Sequence, residues 1–269
     1  DDARQGRATL SPPNSGITRV GRSASGGLGC LTPSAQRVRF GGSQVCPLSG
    51  RAGDRIIGIG RDRLQTGLGV GVGDEVIVPS ITYWASCLCL YSLGATPVFA
   101  EIDPETLCVD PRDIERRITR RTKAIVVVHY SGMPADMDAI LRIARKRKLK
   151  VLEDGSHAHG TLYKGRPVGT LGDAAGFSLM TGKSLAIGEG GIMFTADRRV
   201  YERAMLFGHY ERHGRLELAD LKRDAGLPWG GYKYRMHQVT SAFGLISLKL
   251  YPAQMKELDK AMNHFCDLL

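Results

Sequence analysis

Two side chains of complementary chemistry occur in the middle of the chain, an acid and a later lysine. Asp154 follows an apolar run, whereas Lys183 lies beside Gly182 and ahead of a glycine-rich stretch at 188–191. Ser178 comes shortly before the lysine. An amine can form a Schiff base with an aldehyde, a carboxylate can hold a proton on a ring nitrogen, and a hydroxyl beside backbone N–H groups can bind phosphate. Pyridoxal phosphate (PLP) carries an aldehyde, a ring nitrogen and a phosphate, so the pattern indicates it as a cofactor.

Each of these residues also has an ordinary structural interpretation. Asp154 could cap a helix or lie on the surface, Ser178 could simply end a strand, and most lysines are exposed. The glycines at 188–191 argue against an exposed lysine, because they permit a close approach of the backbone to a bound group. If Lys183 is buried beside such a group, burial drives its amine towards the neutral, nucleophilic form.

Two histidines follow Asp154 and compete for a place near the same ligand. His157 lies three positions on, where its side chain could hydrogen-bond a phenolic oxygen of the cofactor or stack near its ring. A single histidine is more often a satisfied structural residue. We therefore predict His157 as the contact and keep His159 as its competitor.

Short apolar strands alternate with helical patterns through residues 75–154. The predicted strands are Glu75–Pro79, Thr96–Ala100, Lys123–His129 and Lys150–Leu152, and the predicted helices are Thr82–Leu93, Asp113–Ile118 and Asp136–Lys148. Thr82 is a suitable N-cap for the first helix. The alternation predicts an α/β fold in which a mostly parallel sheet is sandwiched by helices. Asp154 then lies at the carboxyl edge of the sheet, where such folds bind ligands.

Beyond Asp154 the pattern changes. The predicted elements are short strands at Ala174–Leu179 and Ile192–Thr195, a helix at Arg198–Phe207, a polar loop at His209–Lys222 and a long helix from Met236 towards Leu250. Pro252 is predicted to interrupt or kink that helix. Helical periodicity resumes over 256–269.

Residues 1–70 differ from the rest in composition. They contain ten Arg, four Asp and fourteen Gly but neither Lys nor Glu, which is unusual for folded helix surfaces. Two hypotheses account for this: a disordered or loosely folded arm, or translation out of frame from a GC-rich gene. We divide the chain into this atypical segment, a PLP-binding large domain at 71–250 and the start of a truncated C-terminal small domain at 251–269.

The bulk composition restricts the classes of protein. The net charge is +10, but residues 1–70 hold most of the basic excess, so the charge does not indicate nucleic-acid binding. No apolar run reaches the roughly 18 residues of a membrane helix, and no secretory signal opens the chain. Six cysteines show no metal-ligand spacing and no disulfide-scaffold density. We expect a cytoplasmic protein with no metal, no nucleic-acid partner and no membrane segment.

Six ordered stretches of the chain carry a resemblance to a known family. They are Gly73–Ser80, Asp103–Thr106, His129–Met137, Glu153–Gly160, Ser178–Gly191 and Gly231–Met236. Over residues 71–250 the sequence resembles the DegT/StrS-type (DegT/DnrJ/StrS) sugar aminotransferases. These use pyridoxal phosphate and have the aspartate-aminotransferase large domain, PLP fold type I. Each motif alone is weak, but six in the same order are specific.

The resemblance implies a role for each candidate residue. Lys183 would form the Schiff base with the cofactor, and Asp154 would pair with its pyridinium nitrogen. His157, where the family more often has Gln, would contact the cofactor, and Ser178 would bind its phosphate. Tyr83 falls where family members stack an aromatic ring on the cofactor, and packing in a helix core is the alternative for this residue.

The resemblance also implies an activity and a partner. Family members transfer an amino group from glutamate or glutamine to a keto group of a nucleotide-linked sugar or a cyclitol. They are homodimers whose sites borrow residues from the partner subunit. The segment Gly231–Met236 usually supplies an Asn to the partner's phosphate, and Lys233 at that position could supply a cationic contact instead.

Two departures from the family leave other functions open. Ser49-Gly50-Arg51 only partly matches the Ser-Gly-Thr turn that binds phosphate in the family, and we expect most of the smaller C-terminal domain to be lacking. An inactive truncated or frameshifted remnant is one alternative, and a regulatory relative that binds PLP without turnover is another. A plain nucleotide-binding domain is disfavoured, because residues 78–82 after the first predicted strand contain no glycine-rich turn.

Overall fold

A seven-stranded sheet forms the centre of the fold. The computed structural model describes residues 55–58, 67–208, 214, 216–223 and 236–269. The strands are β1 (Arg55–Gly58), β2 (Glu75–Pro79), β3 (Thr96–Ala100), β4 (Thr122–Val128), β5 (Lys150–Asp154), β6 (Leu162–Tyr163), β7 (Arg166–Pro167), β8 (Ala174–Ser178) and β9 (Gly191–Thr195). The order in the large sheet is β1-β9-β8-β5-β4-β2-β3, and β6 and β7 form a separate ribbon.

The large sheet is mostly parallel. β3, β2, β4, β5 and β8 pair in parallel, whereas β9 runs antiparallel to both its neighbours, β8 and β1. The carboxyl ends of the parallel strands therefore share one edge, and Asp154 ends β5 at that edge. The fold class predicted from the strand–helix alternation is confirmed.

The described helices and the 3₁₀ turn connect these strands. They are α1 (Ala85–Ser92), α2 (Pro111–Arg117), the 3₁₀ turn Tyr130–Gly132, α3 (Met137–Arg147), α4 (Arg198–Gly208), α5 (Ala219–Arg223) and α6 (Gln238–Leu268). Asp110 caps α2 and Asp136 caps α3, and each aspartate accepts a backbone N–H of the first helical turn. These two aspartates explain why both helices begin close to their predicted positions.

Neighbouring residues of the central strands face opposite sides of the sheet, as the two-residue period of a strand requires. Val126 packs in one cluster with Leu90 of α1 and Val200 of α4. Ile125 packs in a second cluster with Ile140 of α3. The continuous apolar run of β4 therefore fills two cores, and helices cover both faces of the sheet.

The first predicted helix begins later than its sequence suggests. Thr82 is the predicted N-cap, but α1 starts only after Trp84, and no side chain caps it. That prediction is wrong. The hydroxyl of Thr82 lies 2.8 Å from that of Ser86, so it serves a side chain rather than the helix backbone.

The last helix continues through Pro252, where the sequence predicts an interruption or a kink. α6 is one helix from Gln238 to Leu268 with the proline inside it. The preceding residue, Tyr251, is buried in a cluster with Leu179, Leu185 and Ile187. This tertiary packing offsets the backbone hydrogen bond that proline removes. The domain boundary placed at residue 250 stays a prediction.

Several predictions concern residues outside the described part of the chain. These are most of the atypical segment 1–70, the turn Ser49-Gly50-Arg51, residues 209–213 and 215 of the predicted loop His209–Lys222, and the stretch 231–235 with Lys233. The last part of that predicted loop is wrong, because the short helix α5 (Ala219–Arg223) begins within it. Strand β1 lies within the atypical segment and is not among the predicted strands. It pairs antiparallel with β9 at the edge of the sheet.

Candidate active site

A cavity of about 830 Å³ opens at the carboxyl edge of the sheet. The five predicted site residues all line it: Tyr83, Asp154, His157, Ser178 and Lys183. They come from the segment just before α1, the end of β5 and the loop behind it, the end of β8, and the loop before β9. The parallel strands bring these segments together because their carboxyl ends meet at one edge.

Asp154 is oriented by two hydrogen-bond donors. As the last residue of β5 it shares a strand face with Leu152, which packs in the same cluster as Leu90 of α1. Its Oδ1 accepts from the backbone N–H of Ser156 at 3.1 Å, and its Oδ2 accepts from the hydroxyl of Ser86 at 3.2 Å. The carboxylate is 6% exposed and lies beside the cavity. Its orientation is therefore set by the protein.

Ser86 reaches Asp154 from α1 and was not among the predicted site residues. The hydroxyl of Ser86 uses its one hydrogen to donate to the carboxylate of Asp154. In its contact with Thr82 it can therefore only accept, so the hydroxyl of Thr82 donates to Ser86. The two hydroxyls therefore form a chain that ends on Asp154. A sequence signal exists, because Ser86 is a polar residue four positions after Thr82 in a mostly apolar helix.

Glu153 precedes Asp154 and faces the opposite side of the sheet, where it is completely buried. Its Oε1 accepts from the backbone N–H groups of Leu171 and Gly172 at 2.8 and 2.6 Å. Its Oε2 accepts from the N–H of Gly169 at 2.7 Å. Glu153 thus holds the loop that leads into β8.

His129 completes the buried site around Glu153. Its Nδ1 accepts from the backbone N–H of Ala135 at 3.2 Å, so its Nε2 carries the hydrogen and donates to Oε2 of Glu153 at 3.1 Å. His129 follows β4 and is itself fully buried. The pair therefore joins the loop before β8 to the segment after β4, where Tyr130 lines the cavity.

Lys183 lies in a loop that folds back on itself between β8 and β9. Its backbone N–H donates to the carbonyl of Met180 at 3.0 Å, and that of Ile187 donates to the carbonyl of Leu179 at 2.9 Å. Gly188 has a φ of +93°, a backbone conformation that residues other than glycine rarely adopt. The glycine that the sequence singled out therefore permits the tight loop, and the loop presents Lys183 to the cavity.

Ser178 and Ser156 lie together at the end of β8. The hydroxyl of Ser178 accepts from the backbone N–H of Met180 at 3.3 Å, and the N–H of Ser178 donates to the hydroxyl of Ser156 at 3.2 Å. Both serines line the cavity. This group of hydroxyls and N–H groups is suited to an anion, and the phosphate-binding role of Ser178 stays a prediction.

Tyr83 and His157 present exposed rings at the cavity. Tyr83 is 59% exposed, so helix-core packing, the alternative considered for it, does not describe its position. His157 lies edge-on to Tyr130, with 6.0 Å between the ring centroids. Both rings are accessible to a ligand, and their contacts with a cofactor stay predictions.

The structure separates the two competing histidines. His157 lines the cavity, whereas His159 is not among the lining residues. The Nε2 of His159 lies 2.9 Å from the carbonyl oxygen of Ser178, and its Nδ1 lies 3.3 Å from the hydroxyl of Ser184. His159 therefore lies behind the lysine loop.

The cavity offers the groups that pyridoxal phosphate requires. An amine, a carboxylate, a hydroxyl and an aromatic ring come from Lys183, Asp154, Ser178 and Tyr83. Its volume falls within the range of about 300–1,000 Å³ typical of ligand pockets. The residues present therefore fit this cofactor.

Metal-binding clusters and membrane-spanning helices are both absent from the described ranges. No cluster of His, Cys, Asp or Glu in them is arranged to hold a metal ion. None of the helices described is both long enough and apolar enough to cross a bilayer.

Comparison with known proteins agrees with the fold and the cavity. The chain matches the DegT/DnrJ/EryC1/StrS aminotransferase family over residues 63–269. The chain belongs to this family. Members of the DegT/DnrJ/EryC1/StrS family are pyridoxal-phosphate-dependent aminotransferases, so the family and the cofactor predicted from the sequence are confirmed. The match begins slightly before residue 71, where the sequence placed the start of the large domain.

Individual members of the family give the extent of the similarity. The chain is 42% identical over 182 residues to GDP-perosamine synthase of Escherichia coli O157:H7, covering 68% of this chain and 48% of that protein. It is 38% identical over 204 residues to the L-glutamine:scyllo-inosose aminotransferase of Streptomyces griseus, covering 75% and 48%. The solved structure of S. venezuelae DesV in complex with a ketimine intermediate is 38% identical, with a TM-score of 0.64 over 74% of this chain and 53% of that one. The chain thus spans about half the length of the curated relatives it matches.

Proposed function

We propose that this protein is a PLP-dependent aminotransferase that moves an amino group from glutamate or glutamine to a keto group of a nucleotide-linked sugar or a cyclitol. The observation that carries the proposal is that Lys183 and Asp154 line one cavity at the carboxyl edge of the sheet. The names of the relatives support the class of substrate, since one is a GDP-perosamine synthase and another an L-glutamine:scyllo-inosose aminotransferase.

Lys183 has two tasks in this proposal. Bound pyridoxal phosphate supplies an aldehyde that condenses with amines and a ring that draws electrons from the attached carbon. The Nζ of Lys183 would hold the cofactor through its aldehyde. Once an amino donor has taken its place, the free Nζ would act as the base that accepts the proton of the donor's α-carbon and would later act as the acid that returns it. The same proton transfers in reverse serve the keto substrate.

The other residues of the cavity orient the cofactor. Asp154 is held in place by Ser86 and the N–H of Ser156. Its carboxylate would accept a hydrogen bond from the protonated ring nitrogen of the cofactor. The hydroxyl of Ser178 would hold the phosphate, and the exposed ring of Tyr83 would cover one face of the cofactor ring. His157 would contact the same ring from the loop after β5.

The proposal includes a homodimer in the cytoplasm. One side of α6 carries Val239, Phe243, Ile246 and Leu250, which recur at helical spacing and are each more than half exposed. A continuous apolar stripe of this kind supports an interface. Sedimentation of the purified protein measures the oligomeric state, and a monomer at all concentrations would contradict this part of the proposal.

Borohydride reduction followed by peptide mass analysis tests the central step. We expect the wild-type chain, incubated with pyridoxal phosphate, to gain one cofactor on the peptide that contains Lys183. The variant Lys183→Ala should gain none there. Lys164→Ala is the matched control, because Lys164 is exposed and pairs with Asp138 away from the cavity. Equal labelling of wild type and Lys183→Ala would contradict the proposal.

The same preparation distinguishes the regulatory alternative. A relative that binds the cofactor without turnover would label on Lys183 but would not release a keto acid from glutamate or glutamine. An aminotransferase releases one keto acid per bound cofactor when a donor is added. Measurement of the keto acid therefore separates the two functions.

A further inference from the structure

His159 joins four segments of the chain close to Lys183. Its Nε2 lies 2.9 Å from the carbonyl oxygen of Ser178 at the end of β8, and its Nδ1 lies 3.3 Å from the hydroxyl of Ser184. Its own backbone carbonyl accepts from the hydroxyl of Tyr251 in α6 at 2.8 Å. Ser184 is the residue next to the lysine, so this network reaches the lysine loop directly.

The partners fix the hydrogen positions on the imidazole. A carbonyl oxygen can only accept, so the Nε2 of His159 carries the hydrogen and donates to Ser178. The Nδ1 is then the acceptor, and the hydroxyl of Ser184 donates to it. Burial lowers the pKa of His159 to about 4, and the nearby cation of Lys183 acts in the same direction. The ring is therefore neutral near pH 7, as this arrangement requires.

Apolar packing holds the base of the same loop. Leu179, Leu185 and Ile187 are buried in one cluster with Tyr251 of α6. Lys183 and Ser184 lie between these anchors and are not part of the cluster. The apolar contacts therefore fix the two ends of the loop, and they leave the segment that carries the lysine to be fixed by polar contacts.

We infer that His159 is a positioning residue for Lys183. It acts through Ser184 and fixes the backbone from which the lysine side chain enters the cavity. The lysine's role as the reacting amine rests on the proposed function, but the mechanical link between His159 and the loop does not. His159 itself does not touch the cavity.

Two substitutions of similar size separate this role from simple packing. In His159→Asn the side-chain oxygen can take the place of Nδ1 and accept from Ser184. In His159→Gln the amide nitrogen can take the place of Nε2 and donate to Ser178, but the acceptor at the Nδ1 position is lost, which leaves Ser184 the more distant hydroxyl of Tyr251 at 3.4 Å. Ser184→Ala removes the same contact from the other side.

Hydrogen exchange of the chain without cofactor gives the first measurement. The amides of Lys183 and Ile187, both hydrogen-bonded within the loop, should exchange about fivefold faster in His159→Gln and Ser184→Ala, the effect of one hydrogen bond. In His159→Asn they should exchange at the wild-type rate. The amides of β4 should be unchanged in all three variants. Equal exchange of the loop in the Asn and Gln variants, in either direction, overturns the inference.

Capture of pyridoxal phosphate gives the second measurement. The rate at which the visible absorbance of lysine-bound cofactor appears should fall about fivefold in His159→Gln and Ser184→Ala and be restored in His159→Asn. Identical capture rates in His159→Gln and wild type overturn the positioning role even if exchange changes. A wild-type chain that captures no cofactor refutes the proposed function, and the exchange experiment still decides whether His159 holds the loop.

Discussion

Glu153 and Asp154 are neighbours at the end of β5 but lie in different surroundings. Glu153 is completely buried, and three backbone N–H groups and His129 donate to it. Asp154 faces the other side of the strand and borders a cavity. Its oxygens accept from the hydroxyl of Ser86 and the N–H of Ser156.

The difference shows how one strand assigns two tasks to adjacent carboxylates. The two-residue period of a strand sends the side chains to opposite faces. On one face the loop before β8 surrounds Glu153 and uses it as a structural acceptor. On the other face the cavity keeps Asp154 available to a ligand. The comparison predicts that the two residues respond oppositely to substitution.

Glu153→Ala should produce the largest effect. The substitution leaves three backbone N–H groups, that of Gly169 buried and two partly buried, and the Nε2–H of His129 without their acceptor, so we expect the free energy of unfolding to fall by about 4 kcal/mol. Urea denaturation of the chain without cofactor measures it. Glu153→Gln is the control, because its amide oxygen still accepts while its NH₂ faces donors, and it should lose about half as much. Unchanged stability in both variants would contradict the structural role of Glu153.

Asp154→Asn should have little effect on stability. In the absence of cofactor, the free energy of unfolding of this variant should lie within about 1 kcal/mol of that of wild type, because a buried charge is removed while the shape of the side chain is kept. The affinity for pyridoxal phosphate should fall about tenfold or more, since the charged partner of the ring nitrogen is lost. Denaturation and absorbance titration measure the two effects. If Asp154→Asn were as unstable as Glu153→Ala, the contrast between the two carboxylates would be lost.

Ser86→Ala tests whether the orientation of Asp154 matters. The loss of one hydrogen bond to the carboxylate should weaken binding of pyridoxal phosphate about fivefold and cost about 1 kcal/mol of stability. Ser86→Thr keeps the hydroxyl and should bind the cofactor as the wild type does. Absorbance titration of both variants gives the comparison, and equal weakening in the two would indicate a packing effect rather than a lost hydrogen bond.

The smallest effect concerns how stability depends on pH through His159, behind the lysine loop. The pKa of His159 is lowered to about 4 in the folded chain from 6.5, so between these values the unfolded chain binds a proton that the folded chain does not. This residue therefore makes stability fall as the pH decreases through that window. When the pH is lowered from about 7 to about 6, the free energy of unfolding should fall less in His159→Asn than in wild type. The two losses should differ by under about 1 kcal/mol. Parallel pH dependence in the two proteins would show that His159 does not titrate this way.

Much of the fold could be predicted from local patterns. The apolar runs of β2 and β3 have their predicted bounds, and the capping residues Asp110 and Asp136 mark the starts of α2 and α3. Within the glycine-rich stretch at 188–191, Gly188 has a positive φ, and the close approach to a bound group expected of this stretch stays a prediction. These features depend on neighbours in the sequence, so the sequence suffices to find them.

Features that depend on distant contacts were missed or left open. Thr82 was predicted as a helix cap because threonine is favoured at the start of a helix, whereas in the fold its hydroxyl bonds Ser86. The helix across Pro252 continues because Tyr251 is held by the lysine loop, which is far away in sequence.

The sequence by itself determined the alternation of strands and helices, the presence of an acid and a lysine suited to one cofactor, and the family. Only the tertiary structure decided that His157 borders the cavity while His159 lies behind the loop of Lys183. The reason is physical. Strand and helix periods fix where side chains point within elements, but both histidines follow β5 in a segment without such a period. Their directions are set by the residues of β8, α6 and the lysine loop that pack against them.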